Sequence, residues 1–513
     1  MSIKPRNEDP GLMDLKALAN AAPNLKTILN EKRINAAIVE ASPLQFSYAC
    51  SQVNDAVINQ FQTLSDDWKI LGHYDEVLAG KAVNQTEARS VSHHGLRDPQ
   101  NKEAIASHSD ITEFVSRIHD GDLLGYTDMP FDTVVQIGIG GSELGVRAAY
   151  EALVPYATTQ NGHLMEADFV GNIDPDGCAI TLGSVDWDST LFIIVSKSGN
   201  TLETQANLAY LKASLRDDGI DVDAYLKQHC VVITGNGSIL DRPNTYLKTF
   251  SLSDSIGGRF SVMSPVGLVL LSLAFGSEIA LSLLLGAAKM DQNAHAKDVK
   301  KNASLMAAFI AYWERVCLGY EAVAIVPYSE SLRSFPFHLQ QLLCESSGKS
   351  VTVDGKPIHT PTSRVVFGGA GTSLQHSTFQ MLHQGPDTIP VQFIGFRNSV
   401  CSDSPDIHDK NHDALLQNLV AQMTALAVGN DSNDPRKRHD GHRPSSCIIA
   451  EALTPDVVGA LFAFYENMVM FTGALFDINT YDQPGVEYGK LLAKDCEGSV
   501  SDTRLQAFLG LFT

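Results

Sequence analysis

The stretch LFIIVSKSGNTLET occupies residues 191–204. Its first five residues are apolar and uncharged, which is typical of a buried parallel strand rather than of an alternating edge strand. The strand runs directly into SKSGNT at 196–201 and then into a helical pattern. Such a turn gathers hydroxyls and backbone N–H groups at a helix N-terminus, where they can hold a phosphate. Taken alone, the stretch is equally compatible with a turn whose Ser and Thr side chains only cap the helix.

A second strand–turn–helix pattern, VVQIGIGGSELG, occupies residues 134–145. It resembles two common phosphate loops and matches neither. A dinucleotide fingerprint that starts at Gly138 and Gly140 requires a third glycine where Glu143 stands. An ATP-binding P-loop requires a lysine, and this stretch contains none. The loop therefore predicts a pocket for a small phosphorylated metabolite rather than for a nucleotide.

Taken together, the two loops resemble the sugar-phosphate-binding module of the glucose-6-phosphate isomerases, whose motifs are IGIGGS-x-LG and SK-[ST]-x-x-T-x-ET. The resemblance extends from about residue 88 to residue 495, with the motifs in the family's order. It implies that a sugar phosphate is the partner of this chain. The residues that would hold it at these loops are Gly141, Ser142, Ser196, Lys197, Ser198 and Thr201.

The chain has 513 residues, enough for two or more domains, and a formal net charge of −21. This acidity argues against nucleic acid or an anionic membrane surface as a partner, because both require basic surfaces. An anionic substrate then needs a locally positive site, and we expect Lys197, Arg259 and Lys490 to supply it.

Cysteine usage and apolar stretches indicate the compartment. The eight cysteines are far apart and form no C-x-x-C motif, so the sequence predicts neither a zinc site nor a disulfide framework. The opening residues, MSIKPRNEDP, lack the apolar core of a signal peptide, and we expect a cytoplasmic protein. The long apolar stretch 267–288 is interrupted by Gly-Ser-Glu at 276–278. We interpret it as two packed core helices rather than as a membrane span.

Alternating strand and helix patterns predict an α/β protein with parallel sheets. One series of strands (VVQIGIGG, LFIIVSKSG, CVVITGNGS) lies within residues 131–288, and a second (AVAIVPYS, RVVFGGAG, IPVQFIGF) follows it. We expect two doubly wound α/β/α sandwich domains, and the resemblance implies that they are of the sugar-isomerase (SIS) type. The predicted division is a mainly helical N-terminal segment, 1–115, packing on the second domain; a first sugar-phosphate-binding domain, 116–288; and a second domain with a helical C-terminal tail, 289–513.

Two charged residues stand in stretches that match family motifs. Arg259 follows two glycines in DSIGGRFSVMSPVGL, 254–268; a lone arginine is ordinarily a surface residue, but this stretch closely matches a family signature. Glu345 falls in the last turn of a predicted helix within 335–350, where a carboxylate opposes the helix dipole. That placement is also typical of a solvated side chain at a frayed helix end. The match of ESSGK to the family's ES-x-GK motif implies instead that Glu345 is the proton-transferring base.

Two further stretches match family elements. GTSLQHSTFQMLHQG, 371–385, corresponds to GTNGQH followed by HQG, which assigns His376 as catalytic and His383 as structural. Leu374 stands where the family has glycine, and leucine does not easily adopt a positive φ. In GALFDINTYDQPGVEYGK, 473–490, the second family signature implies that Gln483 and Lys490 contact the ligand.

The resemblance implies an aldose–ketose isomerase that interconverts glucose 6-phosphate and fructose 6-phosphate. By the family's assignment, His376 and Lys490 open the sugar ring. Glu345 then moves a proton between C1 and C2, and Arg259 stabilises the enediolate. No metal or redox cofactor is implied, because the hydrogen moves as a proton, and a histidine from the partner subunit implies a homodimer.

Two alternative functions stay open. One is a related enzyme that also accepts mannose 6-phosphate, which differs from glucose 6-phosphate at a single hydroxyl. The other is a sugar-phosphate-sensing module that binds without catalysis. Such a sensor would keep the phosphate loops but lose Glu345, Arg259 and His376, and all three are present.

Overall fold

In this computed structural model the described residues are 6, 9–160, 162, 164–401, 405–496 and 502–512. The strands are β1 Ile38–Ala41, β2 Leu44–Ser47, β3 Thr133–Ile137, β4 Glu166–Val170, β5 Thr190–Val195, β6 Cys230–Thr234, β7 Lys248–Ser251, β8 Ala322–Pro327, β9 Val365–Gly368, β10 Val391–Phe396 and β11 Ser445–Ala450. The helices are α1 Pro10–Ala19, α2 Leu25–Ile28, α3 Glu31–Ala36, α4 Asp55–Asp67, α5 Ile70–Leu78, α6 Lys102–His119, α7 Leu144–Thr159, α8 Pro175–Ser184, α9 Leu202–Asp217, α10 Val222–His229, α11 Pro265–Phe275, α12 Ser277–Ala294, α13 Ala303–Tyr312, α14 Phe335–Ser347, α15 Gly371–Gln375, α16 Phe379–Gln384, α17 Pro405–Val428, α18 Pro455–Phe476, α19 Glu487–Asp495 and α20 Thr503–Leu509.

The first sheet has the order β4-β3-β5-β6-β7, and all its neighbouring strands are parallel. Strand β5 is buried along its whole length, as its apolar run predicts. The strand order reverses between β3 and β5, so the crevice at their carboxyl ends is the topological switch point where doubly wound sheets bind ligands. Loops 138–142 and 196–201 follow these two strands and therefore lie at that crevice.

The second sheet has the order β1-β2-β11-β10-β8-β9. Its strands β8 to β11 are parallel, as predicted, and their order, β9-β8-β10-β11, repeats that of the first four strands of the first sheet. The N-terminal segment adds a hairpin, β1–β2, whose second strand pairs antiparallel with β11. The sequence analysis missed this hairpin because each strand has only four residues. Its buried apolar residues alternate along the chain: Val39, Ala41, Leu44 and Phe46.

The apolar stretch 267–288 forms two helices, α11 and α12, separated by Gly276 with φ of 86°. This confirms the interpretation as packed core helices. Helices α12 and α18 touch through their backbones, because a Cβ on Gly459 would lie 1.8 Å from the carbonyl oxygen of Leu283. Among the described residues α18 alone is long and apolar enough to cross a membrane, and its apolar window is wholly buried in the core.

The segment before α6 is anchored in the core by a buried arginine. Arg97 donates to Asp291, with an Nη2–Oδ1 distance of 2.9 Å, and its Nη1 lies 2.6 Å from Glu466 Oε2. Four residues earlier, the His93 ring stacks on Phe260 with the ring centroids 4.6 Å apart. Arg97 thus attaches the segment to helices α12 and α18, and His93 attaches it to the residue that follows Arg259.

Candidate active site

Arg259 lies at the centre of a buried polar cluster. It belongs to a short 3₁₀ turn, Gly258–Phe260, and is only 3 % exposed. Its guanidinium donates to five acceptors: Ser346 Oγ at 2.7 Å, Glu345 Oε2 at 3.1 Å, Gln483 Oε1 at 2.9 Å, the Asp482 carbonyl at 3.2 Å and the Thr480 carbonyl. Burial lowers the pKa of Arg259 and Glu345 raises it, but an arginine remains charged in either case. The cluster therefore holds a fixed cation.

Glu345 stands in the last turn of α14, as predicted. Its Oε2 accepts from Arg259, and its Oε1 lies 3.3 Å from Nε2 of Gln341, one turn earlier in the helix. The side chain is 28 % exposed, so the carboxylate is oriented by the protein and still open to a ligand. A carboxylate held in this way can take and return a proton.

The first phosphate loop packs directly against Arg259. Gly140 has φ of 59°, and Gly141 follows it in a 3₁₀ turn, Gly140–Ser142. A Cβ on Gly141 would lie 2.1 Å from the carbonyl carbon of Gly258 and 2.6 Å from the backbone nitrogen of Arg259. Only glycine fits there, so the two Gly-Gly sequences bring the phosphate loop and the guanidinium together. The buried Gln136 side chain donates a hydrogen bond to the backbone carbonyl of Ser142 at 2.7 Å and so fixes the position of this residue.

The second loop places its hydroxyls around the N-terminus of α9. Ser196 Oγ and Thr201 Oγ1 are 2.9 Å apart, and the Ser198 hydroxyl accepts from the backbone N–H of Asn200 at 3.1 Å. Thr201 precedes the helix but its side chain does not cap it. Capping therefore does not account for the Thr201 hydroxyl, and the first backbone N–H groups of a helix can bind an anion.

Lys197 contributes the positive charge of this loop. Its ammonium donates to the carbonyls of Asp254 at 2.6 Å and Ile256 at 2.9 Å. Burial, with a further contribution from nearby Arg89, lowers the pKa of Lys197 to about 8. The side chain is therefore a cation at neutral pH and loses its proton as the pH rises above about 8.

Two predicted residues lie outside the cluster. His376 is exposed at the C-terminal end of α15. Lys490 is on α19 with its side chain 63 % exposed, and it pairs with Glu487 at 2.8 Å. The structure thus brings Arg259, Glu345 and Gln483 together. It leaves His376 and Lys490 exposed on the protein surface.

The local structure accommodates Leu374 where the family has glycine. Leu374 lies inside helix α15, so it needs no positive φ. Its side chain packs, partly buried, against a core cluster that includes Tyr328 and Phe379. His383, predicted to be structural, makes a 2.8 Å contact between its Nε2 and Gln422 Oε1, away from the Arg259 cluster.

The sequence analysis missed several residues that support the cluster. Asp482 and Lys349 form an ion pair at 2.7 Å with side chains only 8 % and 11 % exposed. Both stand beside recognised motif residues, in YDQ and ESSGK, and that proximity was the available signal. Thr86 also donates a hydrogen bond to Asp482, and Asn84 accepts one from Asn479. Nothing in the local sequence pattern indicates these contacts.

Within the described ranges no group of three or more His, Cys, Asp or Glu side chains could hold a metal ion, and all eight cysteines are free thiols. What the cluster offers is a carboxylate beside a fixed guanidinium, with the predicted phosphate loop packed against the turn that carries the guanidinium. This arrangement suits proton transfer on a phosphorylated substrate through an anionic intermediate.

Comparison with known proteins points to one family. Residues 47–508 match the family model described as phosphoglucose isomerase. The chain is 42% identical to a protein of Borreliella afzelii named glucose-6-phosphate isomerase, covering 94% of each chain, and 39% identical to one of the same name from Treponema pallidum, covering 99% of this chain and 98% of the other. Among solved structures, a glucose-6-phosphate isomerase from Chlamydia trachomatis matches with a TM-score of 0.91 and 36% identity, covering 99% of both chains.

Proposed function

Because the chain belongs to the phosphoglucose isomerase family, we propose that it interconverts D-glucose 6-phosphate and D-fructose 6-phosphate. The observation that carries this proposal is the 3.1 Å contact between the Glu345 carboxylate and the Arg259 guanidinium. A base and a fixed cation stand side by side, as a reaction requires that removes a proton and leaves negative charge on oxygen. A sensor that only binds sugar phosphate has no need of this pair.

The proposed reaction assigns one role to each part of the cluster. The phosphoryl group binds at the two loops, through Ser142, Ser196, Ser198 and Thr201, with Lys197 nearby. Glu345 takes a proton from one of the two adjacent carbons and returns it to the other. The enediolate formed between these steps carries negative charge, which the preorganised Arg259 guanidinium stabilises. Gln483 accepts a hydrogen bond from Arg259 and orients it.

Ring opening needs a second acid/base pair, and we assign His376 and Lys490 to it. Both are exposed and lie outside the Arg259 cluster of their own subunit. The exposure of His376 supports a homodimer in which this side chain completes the site of the partner subunit. Lys490 would reach the substrate only after leaving Glu487, its present exposed partner. Such a surface ion pair costs little to break, about 0–1 kcal/mol.

The dimer proposal has a direct test. Glu345→Gln and His376→Ala should each abolish isomerisation in a homodimer. If His376 acts across the interface, a heterodimer of the two variants contains one site with both native residues. Co-expression and purification with two different tags should therefore recover up to half of the activity. No recovery in a verified heterodimer would place His376 in its own subunit's site.

The function itself is tested with purified protein and fructose 6-phosphate, using a coupled assay for glucose 6-phosphate. Activity should be present, and Glu345→Gln should lower kcat by about 10⁴-fold, the upper end for a general base. That variant should also stop enzyme-dependent exchange of the substrate's C2 hydrogen in heavy water. A parallel assay with mannose 6-phosphate decides whether the chain accepts both aldoses. Tight binding of sugar phosphate without turnover would contradict the proposal and favour a sensor.

The proposal includes the predicted domain boundaries at residues 115 and 288. It also includes a cytoplasmic location. The two sheets support the division, since their strands come from 133–251 and from 38–47 with 322–450. Limited proteolysis, with the cleavage sites mapped, tests the boundaries.

A further inference from the structure

The residues around Arg259 show how its position is fixed. Two of its five acceptors are main-chain carbonyls, those of Thr480 and Asp482. A third is the side chain of Gln483. Segment 479–483 therefore orients the guanidinium. This segment follows the end of α18 and belongs to no helix or strand, so its own backbone pattern does not hold it.

The carboxylate of Asp482 holds this segment. Its Oδ1 accepts from Lys349 Nζ at 2.7 Å, and its Oδ2 accepts from Thr86 Oγ1 at 2.6 Å and Asn479 Nδ2 at 3.0 Å. Lys349 also donates to the main-chain carbonyl of Asp482. We call these residues, with Asn84, the Asp482 network.

The amide groups of the network also form hydrogen bonds. Asn479 Nδ2 donates to Asn84 Oδ1 at 3.0 Å, and Asn479 Oδ1 accepts from the Tyr481 backbone at 3.0 Å. Asn479 is 9% exposed and Asn84 1%. Each buried amide thus has a partner, which is the condition under which a buried polar network specifies one arrangement. The network joins three distant parts of the chain: residues 84–86, Lys349 and segment 479–483.

We propose that Asp482 is a positioning residue: by fixing segment 479–483, its carboxylate holds the Arg259 guanidinium in place beside Glu345. This inference rests on the proposed function for its kinetic consequence. Within the described residues no hydrogen bond joins the phosphate loops to the Asp482 network. Disturbing the network should therefore weaken stabilisation of the enediolate and leave phosphate binding intact.

The test uses Asn479→Asp, which keeps the side-chain shape and places a second carboxylate against Asp482. We expect kcat to fall about tenfold or more, with KM and the inhibition constant of inorganic phosphate within twofold of the unmodified protein. A five-carbon phosphorylated aldonic acid carries its carboxylate where the enediolate charge develops, so its affinity should fall with kcat. Asn54→Asp makes the same chemical change at the N-cap of α4, where Asp and Asn are equally suited, and should change nothing.

The double variant Asn479→Asp/Asp482→Asn provides the rescue. It exchanges amide and carboxylate, so one again donates to the other and Lys349 keeps an oxygen acceptor. We expect kcat to recover part of its loss, because the hydrogen bond from residue 479 to Asn84 Oδ1 is not restored. Thr86→Val removes a single donor and should give a smaller loss of the same kind, which keeps the test open if Asn479→Asp does not fold. Unchanged kcat in both single variants, or no recovery in the exchange, would overturn the positioning role. So would a parallel loss of phosphate affinity.

The two proposals fail in different ways. If the unmodified chain does not isomerise fructose 6-phosphate, the proposed function is wrong. The aldonate and phosphate affinities would still decide whether the Asp482 network orients Arg259.

Discussion

Gly141→Ala tests the close contact between the first phosphate loop and the Arg259 turn. The added methyl group would lie 2.1 Å from the carbonyl carbon of Gly258, 2.4 Å from its oxygen and 2.6 Å from the backbone nitrogen of Arg259. All three are main-chain atoms, so no side-chain rotation can relieve the overlap. Either the loop or the turn that carries Arg259 must move.

The required movement sets the expected magnitude. An ordinary Cβ contact begins at 3.4 Å, so the nearest atom must retreat by about 1.3 Å, the difference between 3.4 and 2.1 Å. A displacement of about 1 Å in a catalytic arrangement can cost 10²-fold in rate. Overpacking of this kind also destabilises a protein by about 1–3 kcal/mol. We therefore expect kcat/KM to fall about 100-fold and the unfolding midpoint in urea to fall as well.

The assay is the coupled measurement of kcat/KM, with urea unfolding followed by circular dichroism. Gly183→Ala is the matched control, because nothing lies within 4 Å of its Cβ position in helix α8. Alanine is the better helix former by about 1 kcal/mol, so the control should be fully active and no less stable. A Gly141→Ala protein with kcat/KM within threefold of the unmodified enzyme would refute the argument that this contact sets the site.

Three further outcomes are expected. Ser198→Ala removes a hydroxyl donor to the phosphate, worth about 1.5–3 kcal/mol, so KM should rise at least tenfold with kcat little changed; an unchanged KM would contradict phosphate holding by this loop. The Lys197 ammonium is charged below its pKa of about 8 and neutral above it, so KM should rise as the pH passes through 8, and Lys197→Arg should remove that rise. Dialysis against a strong chelator should leave activity intact, and a loss restored by added zinc or manganese would contradict metal-free proton transfer.

The parts of the fold that the sequence predicted are those where a local pattern and a long-range contact agree. The apolar run 191–195 and its SKSGNT turn predicted both the buried strand and the loop at its carboxyl end, because sheet geometry places such loops together. The helix end at Glu345 followed from the 3.6-residue period and Gly348. The four-residue strands of the β1–β2 hairpin were too short to show a two-residue period against the helical segments around them.

The rest of the site depends on contacts between distant segments, which no local pattern encodes. Thr86 and Asp482 are 396 residues apart in sequence and 2.6 Å apart in space. A threonine in a polar turn looks like an ordinary surface residue until its partner is known. The sequence could not predict that His376 and Lys490 are exposed. Exposure depends on whether distant elements of the fold cover a residue.

The charges of the site explain how an acidic chain can attract an anionic substrate. Lys349 is neutralised by Asp482 at 2.7 Å, and Lys490 by Glu487 at 2.8 Å, so neither adds much field outside its own pair. Lys197 differs, because its ammonium donates hydrogen bonds to two main-chain carbonyls, and the nearby Asp254 and Glu87 carboxylates offset only part of the burial effect on its pKa. Its partly buried position also weakens screening by salt. Of these three lysines, Lys197 is therefore the one that we expect to attract the phosphoryl group of an incoming sugar phosphate.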